Sequence, residues 1–214
     1  MTEIKKRKIS PALQAVLECD KEYTKKFVLW ANQFLPLRSL RIHYKTLEVS
    51  CHGIAWYACW FAFMWIHTNT SLVQMQINML LGLTLDVIFI ALTKAYTRRR
   101  RPMENTDDML GQIGPDKFSF PSGHASRAVY VAYFFINLYP ISIFFYPPLL
   151  AWATSVCISR ILLNRHHLLD VGAGVGLGLF EGWLLGLLWV SQETSEWIWS
   201  SLTDEKLDGG DYHV

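Results

Sequence analysis

Five apolar stretches constrain this chain more than any other feature. They are residues 54–67 (IAWYACWFAFMWIH), 77–95 (INMLLGLTLDVIFIALTKA), 128–145, 148–163 and 168–190 (LLDVGAGVGLGLFEGWLLGLLWV). A helix needs about 20 apolar residues, and at least about 17, to cross a bilayer. The second and fifth stretches meet that length alone, and the first approaches it with Val49 to His52 added. Hydrocarbon cannot satisfy a bare backbone, so stretches of this kind have to be helical. The connections are short except for residues 96–124. The fold class expected is all-α, a polytopic membrane helical bundle.

Composition agrees. Hydrophobic residues make up 51% and charged residues 18% of 214 residues, against about 25% charged in an ordinary soluble domain. A disordered chain would be charge-rich and apolar-poor. Four Cys without a CxxC pair do not make a disulfide scaffold. The sequence divides into a cytosolic N-terminal segment (1–22), a membrane domain (23–190) and an acidic tail (191–214) anchored by Trp197 and Trp199.

No signal peptide is expected: Lys5, Lys6, Arg7 and Lys8 are basic, but the apolar run after Pro11 soon meets Glu18 and Asp20. Ser10-Pro11 reads as a helix N-cap and first turn. A second segment, Tyr23 to Leu35, sets Phe27, Trp30, Ala31 and Phe34 on one side and is ended by Pro36. It is too short and too charged to span, and reads as an interfacial helix; the alternative is a helix packed on a soluble domain.

Charge gives the orientation. If the N-terminal helices do not cross, residues 1–50, 94–127 and 160–165 share one face and hold 19 of the 20 Lys and Arg. The positive-inside rule makes that face cytosolic. Asn69-Thr70-Ser71 is a glycosylation sequon on the other face, too close to the membrane to be modified.

Three clusters with chemical potential fall on the basic face. Lys94 precedes Arg98-Arg99-Arg100-Arg101-Pro102. On a helix continuing to Arg101, Lys94 and Arg101 lie on one side about 10 Å apart along the axis, and both reach one phosphate. The alternative is a snorkelling stop-transfer cluster. In Phe120-Pro121-Ser122-Gly123-His124, Ser122 is an N-cap, the following N–H groups sit at a positive helix end, and Gly123 lets an anion approach. His124 can move a proton near neutral pH; the alternative is an ordinary loop-to-helix junction. In Ser159-Arg160…His166…Asp170, the i, i+4 spacing lets Asp170 reach the His166 imidazole on a helix, while His167 points about 100° away. Arg160 offers bidentate phosphate binding. An interfacial His–Asp pair is the alternative. Metal binding fits poorly, with one carboxylate beside a His and no thiol cluster. Three fixed cations call for an anionic substrate, phosphate being the natural one.

Lys94-x6-Arg101-Pro102, Pro121-Ser122-Gly123-His124 and Ser159-Arg160-x5-His166-x3-Asp170 resemble the three signature motifs of the type 2 phosphatidic acid phosphatase superfamily. The flanking text most resembles its polyisoprenoid diphosphate phosphatase branch, which includes presqualene diphosphate phosphatases. The resemblance implies a six-helix phosphatase core, here with five apolar stretches and the interfacial N-terminal helix as the first member. It implies a metal-independent phosphohydrolase without cofactor, acting on lipid phosphates or diphosphates among membrane lipids, with no nucleic-acid partner. By the family pattern His166 is the nucleophile, His124 the proton donor, and Asp170 orients His166. Lys94, Arg101, Ser122, Gly123 and Arg160 bind phosphate. Endoplasmic reticulum and nuclear envelope are the implied membranes, with the site on the cytosolic side. Other readings are a broad lipid phosphate phosphatase (phosphatidic acid, sphingosine phosphate), a membrane scaffold with weak catalysis, and a halide-oxidising enzyme holding vanadate.

Gly174, Gly178, Gly182 and Gly186 continue the i+4 series from Asp170 and are expected to pack a neighbouring helix closely. Asp86 and Glu181 lie at membrane depth, where an ionisable residue needs a partner.

Overall fold

The computed structural model describes residues 10–34, 39–102 and 118–203, the side chains of Arg41 and Ile42 excepted. The basic run 5–8, Leu35, Pro36, most of the loop after Pro102, and Lys206 lie outside them. Among the described residues there are eight α-helices: α1 Pro11–Ala31, α2 Arg41–Ser50, α3 Gly53–Ile66, α4 Thr70–Thr97, α5 Gly123–Tyr133, α6 Tyr146–Leu162, α7 Leu168–Leu187 and α8 Gln192–Leu202. The only β pairing among them is one bridge, Arg100 with Phe118. The all-α expectation holds.

By length and composition α4 and α7 can each cross a membrane. The pair α2–α3, bent by 56° at Cys51-His52, makes a third if counted as one broken span. The helices of the third and fourth apolar stretches are shorter: Gly123–Tyr133 has 11 residues and Tyr146–Leu162 has 17. The third apolar stretch shows why. Its helix starts early at Gly123, capped by Ser122, passes through a π turn at Phe134–Leu138 and stops before Pro140, where proline removes a backbone donor.

The N-terminal region also differs from expectation. There is no break before Tyr23; α1 is continuous, with Ser10 Oγ accepting from Leu13 N at 3.4 Å. Its buried stripe is Asp20, Thr24, Val28 and Ala31, while Trp30 and Phe34 face outward. The stripe keeps helical period, but half of it is polar because Thr24 and Asp20 accept hydrogen bonds from the start of α7.

Helix α5 is central and packs most closely on α7. The glycine row permits this. A Cβ at Gly174 would strike the Ser122 carbonyl, one at Gly178 the Ser126 carbonyl, and one at Gly182 the Tyr133 ring. Met79, Leu83, Tyr130, Phe134, Leu185 and Trp199 fill the core at the other end. The expected polar tail contributes to that core: α8 docks on α4, with Gln192 Nε2 donating to Thr70 O at 2.7 Å and Trp199 buried. Trp197 stays exposed.

The buried acids have partners. Asp86 Oδ2 pairs with Arg127 Nη2 at 2.6 Å, and Arg127 Nη1 donates to Cys51 O at 3.1 Å. Ser126 Oγ donates to Glu181 Oε2 at 3.1 Å. Arg127 thus satisfies a carboxylate and a carbonyl freed by the α2–α3 break, groups that apolar surroundings leave costly when unpaired.

Candidate active site

The three motif clusters meet at one end of the bundle. Helix α4 brings Lys94 there and stops at Arg98, which adopts the left-handed conformation (φ 49°). The expected continuation to Arg101 does not occur. Arg99 and Arg100 run extended instead, pairing with the strand-like residues before α5. Ser119 N donates to Arg99 O at 2.8 Å and Ser119 Oγ to Arg100 O at 3.1 Å. This pairing, rather than helix periodicity, delivers Arg101.

The arginines separate by role. Arg98 Nε bonds back to Ala95 O at 3.0 Å. Arg99 bridges two buried carboxylates, Asp20 Oδ2 at 2.6 Å and Asp170 Oδ1 at 2.7 Å. Arg101 and Lys94 act electrostatically on His166 together with Arg160.

His166 precedes α7 and does not lie on it, so the i, i+4 argument fails. Its Nδ1 lies 2.7 Å from Ser119 O. Asp170, expected to orient His166, instead holds His167: Oδ2 accepts from His167 N at 2.7 Å and lies 3.0 Å from His167 Nδ1. His167 is the N-cap of α7, which explains why the neighbour, set aside on spacing, receives the carboxylate. The remaining N-terminal donors of α7 go to α1: Leu168 N donates to Thr24 Oγ1 and Leu169 N to Asp20 Oδ1, both at 3.0 Å. Helix N-termini carry such orphan donors, so α1 caps α7.

Burial, then the charges of Arg160, Arg101 and Lys94, push the His166 imidazole well below its usual 6.5, against an opposing bond to Ser119 O. The ring is 1% exposed and stays neutral at neutral pH.

Ser122 is buried; its N donates to Asp170 O at 2.9 Å, tying the second cluster to the third. Ser122 Oγ caps α5 through Ala125 N at 3.5 Å. A Cβ at Gly123 would meet Ile90 Cγ2 at 3.4 Å, ordinary contact, so packing does not demand glycine there. His124 turns its ring against His52, centroids 6.0 Å apart, and its shielded Nε2 has no hydrogen-bond partner. Burial, then the charges of Arg160 and Arg127, push its imidazole well below the usual histidine value. Arg160 is held by Glu48 of α2, with Nη1 and Nη2 each 3.2 Å from Oε1.

Sequence reasoning missed Ser119, Glu48, Arg99 in its bridging role, Asp20 and Arg127. An arginine inside an apolar helix demands a buried acid, and that signal pointed to Arg127. The others carry no local signal.

Residues 76–194, more than half of the chain, match the PAP2 superfamily. The chain belongs to that superfamily. Among curated relatives, the probable lipid phosphate phosphatase beta of Arabidopsis thaliana is 39% identical over 127 residues, 48% of this chain and 60% of that protein. The chain therefore spans less than two thirds of that relative's length. Two solved structures share the fold. One is a transmembrane PAP2-type phosphatidylglycerolphosphate phosphatase from Bacillus subtilis, with 24% identity, TM-score 0.60, and 81% of this chain and 86% of that one covered. The other is Aquifex aeolicus LpxE, with 21% identity, TM-score 0.57, and 75% and 92% covered. All three motifs of this PAP2 chain lie within the matched residues.

Proposed function

We propose that this PAP2 protein is an integral membrane phosphohydrolase that removes phosphate from polyisoprenoid diphosphates, presqualene diphosphate among them, and from related lipid phosphates through a phosphohistidine. The observation that carries the reading is the His166–Ser119 contact of 2.7 Å. A carbonyl only accepts, so Nδ1 bears the proton and Nε2 keeps its lone pair. That lone pair belongs to a neutral imidazole among Lys94, Arg101 and Arg160.

The chemistry runs in two steps. Nε2 of His166 attacks phosphorus as the bond to the leaving oxygen breaks, and His124, neutral before substrate binds and protonated when the substrate's negative charge enters the site, gives its Nε2 proton to that oxygen. Neutral His124 then takes a proton from water, whose oxygen attacks phosphorus and breaks the P–N bond. Inorganic phosphate leaves and both histidines are restored. Lys94, Arg101, Arg160 and the N–H groups at Gly123 and His124 neutralise charge spread over the equatorial oxygens, which is the main catalytic device in phosphoryl transfer. With three fixed cations in that role, the reaction proceeds without a metal. Asp170 acts indirectly: it secures His167 and Arg99 and so the turn that carries His166.

The concentration of Lys and Arg at the site end supports a cytosolic active site, in the endoplasmic reticulum and nuclear envelope. A second reading, a broad lipid phosphate phosphatase, is favoured by the name of the Arabidopsis relative. One experiment tests both. The protein purified in detergent is offered farnesyl diphosphate, presqualene diphosphate and phosphatidic acid with chelator present. The proposal expects phosphate release from the diphosphates, blocked by vanadate and lost in His166→Ala. Preference for phosphatidic acid supports the second reading, and a requirement for a divalent ion contradicts both.

A further inference from the structure

A cleft of about 1320 Å³ lies between α1 and the Arg98–Pro102 segment. Such a volume exceeds what a phosphate group needs, since sites of about 300–1,000 Å³ already hold whole drug-sized ligands. Its two sides differ in chemistry. Leu13, Val16, Leu17 and Leu29 of α1 supply apolar surface beside Lys21 and Lys25, while Arg98 to Arg101 line the other side with positive charge. Val16 and Leu29 are 51% and 57% exposed, left largely uncovered by the described residues. The inner wall includes Arg101 and His167, the neighbours of the reacting imidazole. The α1 wall is held in place, because Asp20 is locked to Arg99 and to Leu169 N, and Thr24 to Leu168 N.

Resting on the phosphatase reading above, we infer that this cleft receives the hydrocarbon chain of the substrate, so that α1 determines which chains are accepted. An anionic head meets the arginines at the inner end, and the chain runs along α1 where the apolar side chains stand uncovered. The occupant is the substrate's own chain because Arg101, one of the three cations acting on His166, lines the cleft; a bulk membrane lipid there would not affect selectivity.

The test compares farnesyl diphosphate with dimethylallyl diphosphate, which share the reacting group and differ in chain length. Val16→Trp and Leu29→Trp each fill the cleft without touching the reacting residues, and Val16→Ala serves as a control that cannot block it. Hydrophobic-contact losses of this kind change selectivity by about tenfold or more. The expected result is a fall of about that size in kcat/KM for farnesyl diphosphate, mainly through KM, with dimethylallyl turnover and the Val16→Ala control unchanged. Equal losses on both substrates, or no change on either, overturn the inference. The phosphatase reading is judged on the wild type: if it releases phosphate from neither compound, that reading falls and takes this one with it, whereas turnover of both with an unaltered ratio in the Trp variants overturns the cleft alone. Should one Trp variant fail to accumulate, the other, at an exposed position on a separate turn of α1, gives the same readout.

Discussion

His166 Nδ1 and the carbonyl oxygen of Ser119 lie 2.7 Å apart, and this contact selects the ring nitrogen available for chemistry. The acceptor is a backbone atom that no substitution at residue 119 removes. Burial and three cations disfavour the imidazolium. The sign follows: the neutral imidazole persists as pH falls through the ordinary histidine value of 6.5 and is lost only at more acidic pH. Histidine-labelled NMR of the detergent-solubilised protein is expected to show His166 as the neutral Nδ1–H tautomer at pH 6.5. A titration centred at 6.5 or higher contradicts this.

Arg99 joins Asp20 to Asp170 from a position 11% exposed. Removing one member of a buried charge cluster costs about 3–5 kcal/mol. Arg99→Ala is expected to lose that much in unfolding measurements, and Arg99→Lys to recover only part, because an ammonium cannot fork to two carboxylates as a guanidinium does. A Lys variant as stable as wild type contradicts the bridge.

Asp86 and Arg127 form a buried pair at 2.6 Å. Asp86→Asn and Arg127→Met alone should each destabilise by about 3–5 kcal/mol, whereas Asp86→Leu with Arg127→Met should recover much of the loss, as apolar replacements of whole buried pairs do. Additive losses in the double variant would show that the two residues act independently.

The glycines of α7 should divide by face. At Gly176 an added Cβ meets nothing within 4 Å, while at Gly178 it strikes the Ser126 carbonyl. Gly176→Ala is expected to be neutral or stabilising by up to about 1 kcal/mol through helix propensity, and Gly178→Ala strongly destabilising because backbone cannot move aside. Thermal unfolding of the pair decides; equal effects contradict the packing.

Much of the site was legible because its determinants are local. Ser10 and Ser122 cap helices where hydroxyl residues precede apolar runs, and the glycine row meets a neighbour as its spacing implied. What could not be read depends on distant partners. The four consecutive arginines are identical as sequence, yet Arg99 is assigned to carboxylates 79 and 71 residues away. Asp170 went to His167 because α7 begins after His166, and a one-residue boundary shift exchanges the partners of a capping residue. The stripe of α1 was misjudged because Asp20 and Thr24 are polar, and their reason for burial, the open end of α7, lies nearly 150 residues further on.

The most direct test of the account is covalent. The protein is mixed with substrate radiolabelled in its terminal phosphate, quenched in alkali, where phosphohistidine survives, and mapped by peptide mass. The account predicts one acid-labile phosphate on Nε2 of His166, absent in His166→Ala and longer-lived in His124→Ala. Turnover without any phosphoryl group on His166, or a label that persists in His166→Ala, would contradict it.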